Sequence, residues 1–245
     1  MLWNYNGVIG YDAVNDVEIS ASSGSQDADG HGTHVAGIIG GNGANGTGIH
    51  GVGYLPGRGG DATKSITELM NIKVLNDNGS GTSEQINNGI RWAVDQFRAQ
   101  KAADPAYANA KLILNMSLGG PFETDGYSYP IDEASGEPVL SDDIFSYAAR
   151  DGDVLIIVAA GNETCGIGGS CDVYGRSFAQ TYYYPCSYKG VLCVAASTDE
   201  EKLAGFSNRL ASVGVVAPGY QIVSAKNTAP DEYTFYSGTS QATPV

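Results

Sequence analysis

The sequence predicts an α/β fold with a mostly parallel central sheet and helices on both of its faces, and two observations carry that expectation. Four runs, at 70–75, 112–116, 154–160 and 191–196, are almost unbroken in apolar residues. A strand wetted on one face alternates apolar with polar residues, so unbroken runs indicate parallel strands covered on both faces. These runs also alternate with segments of helical period. Within 83–100, Ile86, Ile90, Ala93, Val94 and Phe97 recur at helical spacing behind a Ser83-Glu84 start, and 142–150 is a second, shorter helix. Strand and helix in rotation build three layers around a parallel sheet. Ligands of such sheets bind beyond the carboxyl ends of the strands.

The 245 residues, 42% hydrophobic, suit a single domain over 1–245. No stretch reaches the ~20 apolar residues of a membrane span. The first residues, Met1-Leu2-Trp3-Asn4-Tyr5, lack the basic and apolar regions of a signal peptide. With 27 acidic against 13 basic residues the net charge is -14, which excludes nucleic acid and anionic membranes as expected partners. The four cysteines, Cys165, Cys171, Cys186 and Cys193, lack the paired spacing of a zinc site. Two disulfides in an oxidising compartment, most simply Cys165–Cys171 and Cys186–Cys193, are one expectation; reduced buried thiols are the other. Three pairings are open on sequence alone.

Three polar motifs follow strands or open helices. Asp29-Gly30-His31-Gly32-Thr33-His34-Val35-Ala36-Gly37 places a glycine-flanked histidine before a small-residue helix. His31 and His34 share a helical face, yet lack the four-residue spacing and glutamate of the zinc-hydrolase pattern. Ser237-Gly238-Thr239-Ser240-Gln241-Ala242-Thr243-Pro244 exposes a serine at a turn into a helix, where a hydroxyl can act as nucleophile or merely cap. Ala159-Ala160-Gly161-Asn162-Glu163 puts an amide at a strand's end, where it can donate to a developing oxyanion or simply make a turn. Each motif alone has a plainer explanation.

Together, in this order, they resemble the subtilases, the subtilisin-like serine proteases of peptidase family S8. Met116-Ser117-Leu118-Gly119-Gly120, Lys73-Val74-Leu75 with Gly79-Ser80-Gly81, Phe206-Ser207-Asn208 and Ala217-Pro218-Gly219 match further family segments, from about residue 7 to the C-terminus. The resemblance implies a three-layer subtilisin-like fold and a secreted endopeptidase acting on polypeptides. His31 is then the general base, Ser240 the nucleophile, and Asn162 with the Ser240 N–H the oxyanion hole; His34 is structural. It implies substrate binding by Ser80, Gly81 and Thr82 on one wall and Ser117, Leu118, Gly119 and Gly120 on the other. Ala159, Ala160 and Gly161 line the pocket for the residue before the scissile bond, P1, with room for a large apolar side chain. It further implies a monomer, an N-terminal propeptide and no cofactor for catalysis. A structural calcium is expected on Gly43, Asn45, Thr47 and Ile49, which could equally be a polar turn. Asp12, Asp16, Asp27 and Asp29 are expected to be a solvated loop.

The family's catalytic aspartate precedes Thr-Gly or Ser-Gly, and neither triplet occurs before His31. Asp12 precedes Ala13-Val14 and resembles a later segment. The expectation is therefore a fragment truncated at both ends and nearly inactive, lacking the aspartate strand and the C-terminal helices. A non-catalytic pseudo-protease and a metal hydrolase using His31 and His34 are the alternatives.

Overall fold

The computed structural model describes residues 2, 4–22, 27–43, 46–54, 67–121, 143–166, 170–173, 176–179, 183–229 and 231–245; for 121, 170–173 and 176–179 the backbone alone is described. The chain forms two compact units. One comprises Met1–Leu112, Val223–Tyr236 and Pro244–Val245; the other comprises Ile113–Ile222 and Ser237–Thr243.

In the first unit, β1 (Val8–Asp12) pairs antiparallel with β2 (Val17–Ser20) and parallel with β3 (Asn71–Lys73). Gly10 permits the close β1–β3 approach, because a Cβ there would fall 1.9 Å from the Asn71 carbonyl oxygen. The carboxylate of Asp12 accepts from the N–H groups of Val14 and Asn15 and from Asn15 Nδ2, at 2.9, 3.1 and 2.8 Å. It stabilises its own turn. Asp16 accepts from Tyr11 Oη, whose ring stacks on Trp92 with centroids 5.3 Å apart. Asp12, at the end of β1, is held by its own turn, and Asp16 is an exposed turn residue.

Two helices complete this unit's regular core. α1 (His31–Gly40) buries His34, Val35 and Ile38. α2 (Ser83–Ala103) buries the expected stripe of Ile86, Ile90, Ala93, Val94 and Phe97, each large side chain contributing about 1.5–3 kcal/mol. Thr82 caps α2 reciprocally: its hydroxyl accepts from Gln85 N–H while Gln85 Oε1 accepts from Thr82 N–H. A two-stranded ribbon, Ile222–Ala225 with Tyr233–Tyr236, lies close to α1.

The second unit holds β4 (Leu112–Met116), β5 (Gly120–Pro121), α3 (Asp143–Ala149), β6 (Val154–Ala159), the antiparallel pair β7 (Ser170–Val173) and β8 (Arg176–Ala179), β9 (Tyr183–Tyr184), β10 (Leu192–Ser197), β11 (Val213–Pro218) and α4 (Thr239–Ala242). Its main sheet runs β11-β10-β6-β4, with β10 parallel to both β6 and β11. Three of the four apolar runs, 112–116, 154–160 and 191–196, fall in this sheet as β4, β6 and β10, while 70–75 supplies β3 of the first unit's mixed sheet and β11 was not foreseen. Coverage is incomplete among the described residues: Ile113 on β4 and Leu155 on β6 are 59% and 47% exposed. Val194, Ala196, Ala204 and Ala242 form a core cluster that packs α4 against β10. Cys186 and Cys193 form a disulfide with Cα atoms 5.0 Å apart, and Cys165 is disulfide-bonded too. The side chain of Cys171, its expected partner, lies outside the described residues.

Candidate active site

Ser240 is the second residue of α4, in the second unit. In the first turn of a helix its backbone N–H has no intrahelical acceptor, which leaves it free for a ligand's oxygen. Its Oγ rests on the Ser117 carbonyl at 3.3 Å, while Ser117 Oγ donates to the Ser240 carbonyl at 2.7 Å and accepts from Asn115 Nδ2 at 3.0 Å. The serine turn is thus fastened to the end of β4 at two points.

Thr239 makes the second fastening. It is completely buried. Its N–H and Oγ1 both donate to Asn162 Oδ1, at 2.8 and 3.1 Å, while Oγ1 accepts from Gly161 N–H at 3.0 Å. Two donors on Oδ1 fix the orientation of the amide. Nδ2 therefore points away from Thr239, and no described residue accepts from it. Asn208, also fully buried, holds the turn from behind: Nδ2 donates to Ala160 O and Glu163 Oε2, and Oδ1 accepts from the N–H groups of Glu163 and Cys165. All of its amide hydrogen-bonding groups are engaged. Asn162 is thus hydrogen-bonded to Thr239, the residue before Ser240, which ties the amide to the serine turn.

Of the expected P1 residues, Ala159 and Ala160 are buried, at 3% and 0% exposure, and so is Gly161. On the wall of 117–120, Gly120 is paired with Tyr184 on β9, leaving the main chain of Leu118 and Gly119 as the unpaired stretch.

His31 opens α1 in the first unit. The residue at the N-cap, Gly30, offers no side chain, and Asp27 supplies the acceptors instead. Its Oδ1 accepts from Gly30 N–H at 3.0 Å, and its Oδ2 from Thr33 N–H and Oγ1 at 2.6 and 2.8 Å. Burial works to raise the Asp27 pKa, but these donors and the nearby His31 outweigh it, and the net shift is downward. Asn227 closes the loop from the ribbon by donating to the carbonyls of Asp27 and Ala28. Asp27 is thus a structural anion and not a solvated loop residue. Asp29 stays exposed and accepts from His31 N–H at 3.2 Å. The His31 pKa is lowered, mainly by burial, against the opposing charges of Asp29 and Asp27. The imidazole is consequently neutral at pH 7, the form a general base needs.

His34 is fully buried, stacks on Tyr236 at 4.4 Å and directs Nε2 at the Thr234 carbonyl at 3.3 Å, while its own carbonyl accepts from Ser224 Oγ. A carbonyl acceptor makes Nε2 the protonated nitrogen, so this nitrogen is not a metal ligand. Among the described residues no three His, Cys, Asp or Glu side chains are grouped to hold a metal.

Local hydrogen bonds engage much of the backbone of 80–82. Both backbone groups of Thr82 are used by α2, through Gln85 Oε1 and Ile86 N–H, and both of Ser80 by Asn76. Among the described residues no hydrogen bond engages the backbone of Gly81. In the expected calcium loop, Asn45 lies outside the described residues. Gly46 and Gly48 turn the chain at φ of 75° and 81°. The remaining donors are neutral oxygens with no carboxylate; they suit calcium in kind, though weakly in charge.

Sequence reading missed Thr239, Asn208 and Asp27 as supports of the site. The pattern Asp-x-x-Gly-His was visible, but its capping role depends on a left-handed Gly30 at φ 92° that lets the carboxylate reach Thr33.

A family model described as the subtilase family matches residues 8–245. Subtilisin-like protease 7 of Arthroderma otae is 34% identical over 218 residues, covering 89% of this chain and 41% of that protein. Subtilisin DY of Bacillus licheniformis is 34% identical over 227 residues, covering 92% of this chain and 64% of that protein. A solved cold adapted subtilisin-like serine proteinase matches with a TM-score of 0.60 and 27% identity, over 96% of this chain and 63% of its own. The chain therefore spans about two fifths of the fungal relative and under two thirds of the other two. On the family match and these identities, the chain belongs to the subtilase family.

Proposed function

We propose that the full-length protein is a secreted serine endopeptidase. Ser240 Oγ attacks the peptide carbonyl, His31 takes its proton and returns it to the leaving amine, and water then hydrolyses the acyl-enzyme. The oxyanion is held by Asn162 Nδ2 and the Ser240 N–H. The observation that carries this function is the locking of Asn162 Oδ1 by Thr239, which directs the amide's donors outward one residue from the nucleophile. Asp12 and Asp27 accept from backbone N–H groups of their own turns, so neither is proposed as the carboxylate that orients His31; that role is proposed for the aspartate of the family's Asp-Thr-Gly or Asp-Ser-Gly box. Loss of that carboxylate should slow turnover about 10⁴-fold, the magnitude measured for the aspartate of triad enzymes.

Substrates are polypeptides, bound extended along Leu118-Gly119 and Gly81 by main-chain hydrogen bonds. The protein works as a monomer released from an N-terminal propeptide. The Cys186–Cys193 disulfide supports an oxidising compartment. Among the described residues no helix is long and apolar enough to cross a membrane. Incubating the full-length protein with a fluorophosphonate and mapping the adduct tests the assignment. Ser240 is the expected site, and an unlabelled protein would leave a non-catalytic peptide-binding role.

A structural calcium belongs to the same proposal, on the carbonyls of Gly43, Thr47 and Ile49 and the side chain of Asn45. At a hundredfold excess over its Kd an ion adds about 2.7 kcal/mol, so chelation should lower Tm by roughly 5–10 °C. An unchanged melting curve in chelator would remove the ion from the account.

Asp27 yields a further prediction, with its sign fixed by the depressed pKa. Its contribution is fully present above the ordinary carboxylate value of 3.8 and lost as pH falls through the lower folded value. Asp27→Ala should cost about 1 kcal/mol at pH 7, in line with the loss of other helix caps, and less in acid. Removing the negative charge with Asp27→Asn also destabilises the imidazolium of His31. The ascending limb of kcat/KM against pH should then move to lower pH, as a pH–rate profile would show.

A further inference from the structure

We propose that Tyr183 fills the P1 pocket, so that the enzyme cleaves after small residues such as glycine, alanine and serine and discriminates against large apolar ones. This inference rests on the serine-peptidase function proposed above and narrows its substrate class.

One residue expected to line the P1 pocket, Gly161, and one of the substrate wall at 117–120, Gly119, both meet the same ring. A Cβ placed on Gly119 would fall 2.7 Å from Tyr183 Cε1, and one placed on Gly161 would fall 2.5 Å from Tyr183 Cζ. Real side-chain carbons do not approach that closely. The phenol therefore lies in van der Waals contact with both glycines and occupies the space their missing side chains leave. Tyr183 is itself only 5% exposed, and Ala160 is fully buried. A pocket roomy enough for phenylalanine would leave such lining residues accessible.

The ring is also held in place at both ends. At the tip, Tyr183 Oη donates to Glu163 Oε1 at 3.0 Å, and Glu163 Oε2 accepts from the buried Asn208 Nδ2 at 2.7 Å. At the base, Tyr183 N–H donates to Ser187 Oγ at 2.9 Å, and its carbonyl accepts from Ser187 N–H at 2.8 Å. A large P1 side chain would have to expel a buried ring and break its bond to a carboxylate. A methyl group or a hydrogen need not. The size limit follows from the space the ring occupies, because packed interiors do not yield by whole side chains without cost.

The test is the P1 profile of the full-length protein on peptide p-nitroanilides that differ only in P1: glycine, alanine, leucine and phenylalanine. The expected result is kcat/KM for alanine at least about tenfold above phenylalanine, within the range that pocket size alone supplies. Tyr183→Gly should raise the phenylalanine-to-alanine ratio at least about tenfold. Tyr183→Phe, which keeps the ring and loses the hydroxyl, should retain the wild-type order. A wild type that prefers phenylalanine overturns the inference, whether or not the glycine variant folds. So does a folded Tyr183→Gly whose ratio stays within threefold of wild type. If Ser240 takes up the fluorophosphonate while phenylalanine is preferred, only the P1 assignment falls. With no adduct and no cleavage after any residue, the peptidase function falls and takes the P1 assignment with it.

Discussion

Ser240→Ala is expected to lower kcat on peptide substrates by about 10⁶. That figure was measured on subtilisin. The physical reason is local. In the proposed mechanism the hydroxyl forms the acyl-enzyme, and alanine would leave only the oxyanion donors and substrate binding to accelerate attack by water. The loss should appear in kcat with little change in Tm, because the serine turn is held chiefly by groups other than Oγ. Ser117 Oγ reaches the Ser240 carbonyl at 2.7 Å, and Thr239 is tied to Asn162 through its own N–H, whereas the Oγ bond to Ser117 is long, at 3.3 Å. Steady-state kinetics alongside a thermal melt would separate lost chemistry from a lost fold.

Asn162→Leu should reduce kcat by about 10²–10³ while KM changes little, since the donor acts on charge that exists only in the transition state. This magnitude too was measured on subtilisin. The present structure adds a second consequence. Leucine removes the acceptor that takes both donors of Thr239, so the turn carrying Ser240 loses two of its bonds. Asn162→Asp keeps that acceptor but sets a negative charge where the oxyanion develops. It should be slower than the leucine variant yet melt closer to wild type. The opposite ranking of the two variants in kcat would mean that Asn162 acts by packing.

The parallel strands were legible because their burial is written as unbroken apolar runs: 112–116, 154–160 and 191–196 correspond to β4, β6 and β10 with ends moved by a residue. The stripe of α2 was equally plain, and its capping box extends a periodic signal that starts at Ile86. Less legible were the contacts that support the site. Thr239 meets Asn162 across 77 positions, and Ser117 meets Ser240 across 123. No local period reports pairs so distant. Tyr183 escaped for the same reason: small residues at Ala159, Ala160 and Gly161 suggested a roomy pocket, whereas the ring that lies against Gly161 arrives from β9. The engagement of the Ser80 and Thr82 backbone by the turn at Asn76 and the cap of α2 was not legible either. Motifs marked which residues matter; fold-dependent hydrogen bonds decide which atoms are free.

The central claim is that the His31 imidazole activates the Ser240 hydroxyl. The most direct measurement is the second-order rate of fluorophosphonate labelling at Ser240 in the full-length protein and in His31→Ala, each mapped to the modified residue. The account predicts labelling of Ser240 in the wild type and a slowing of about 10²–10⁴ in the variant, the usual worth of a general base. A Ser240 labelled equally fast without His31 would contradict it.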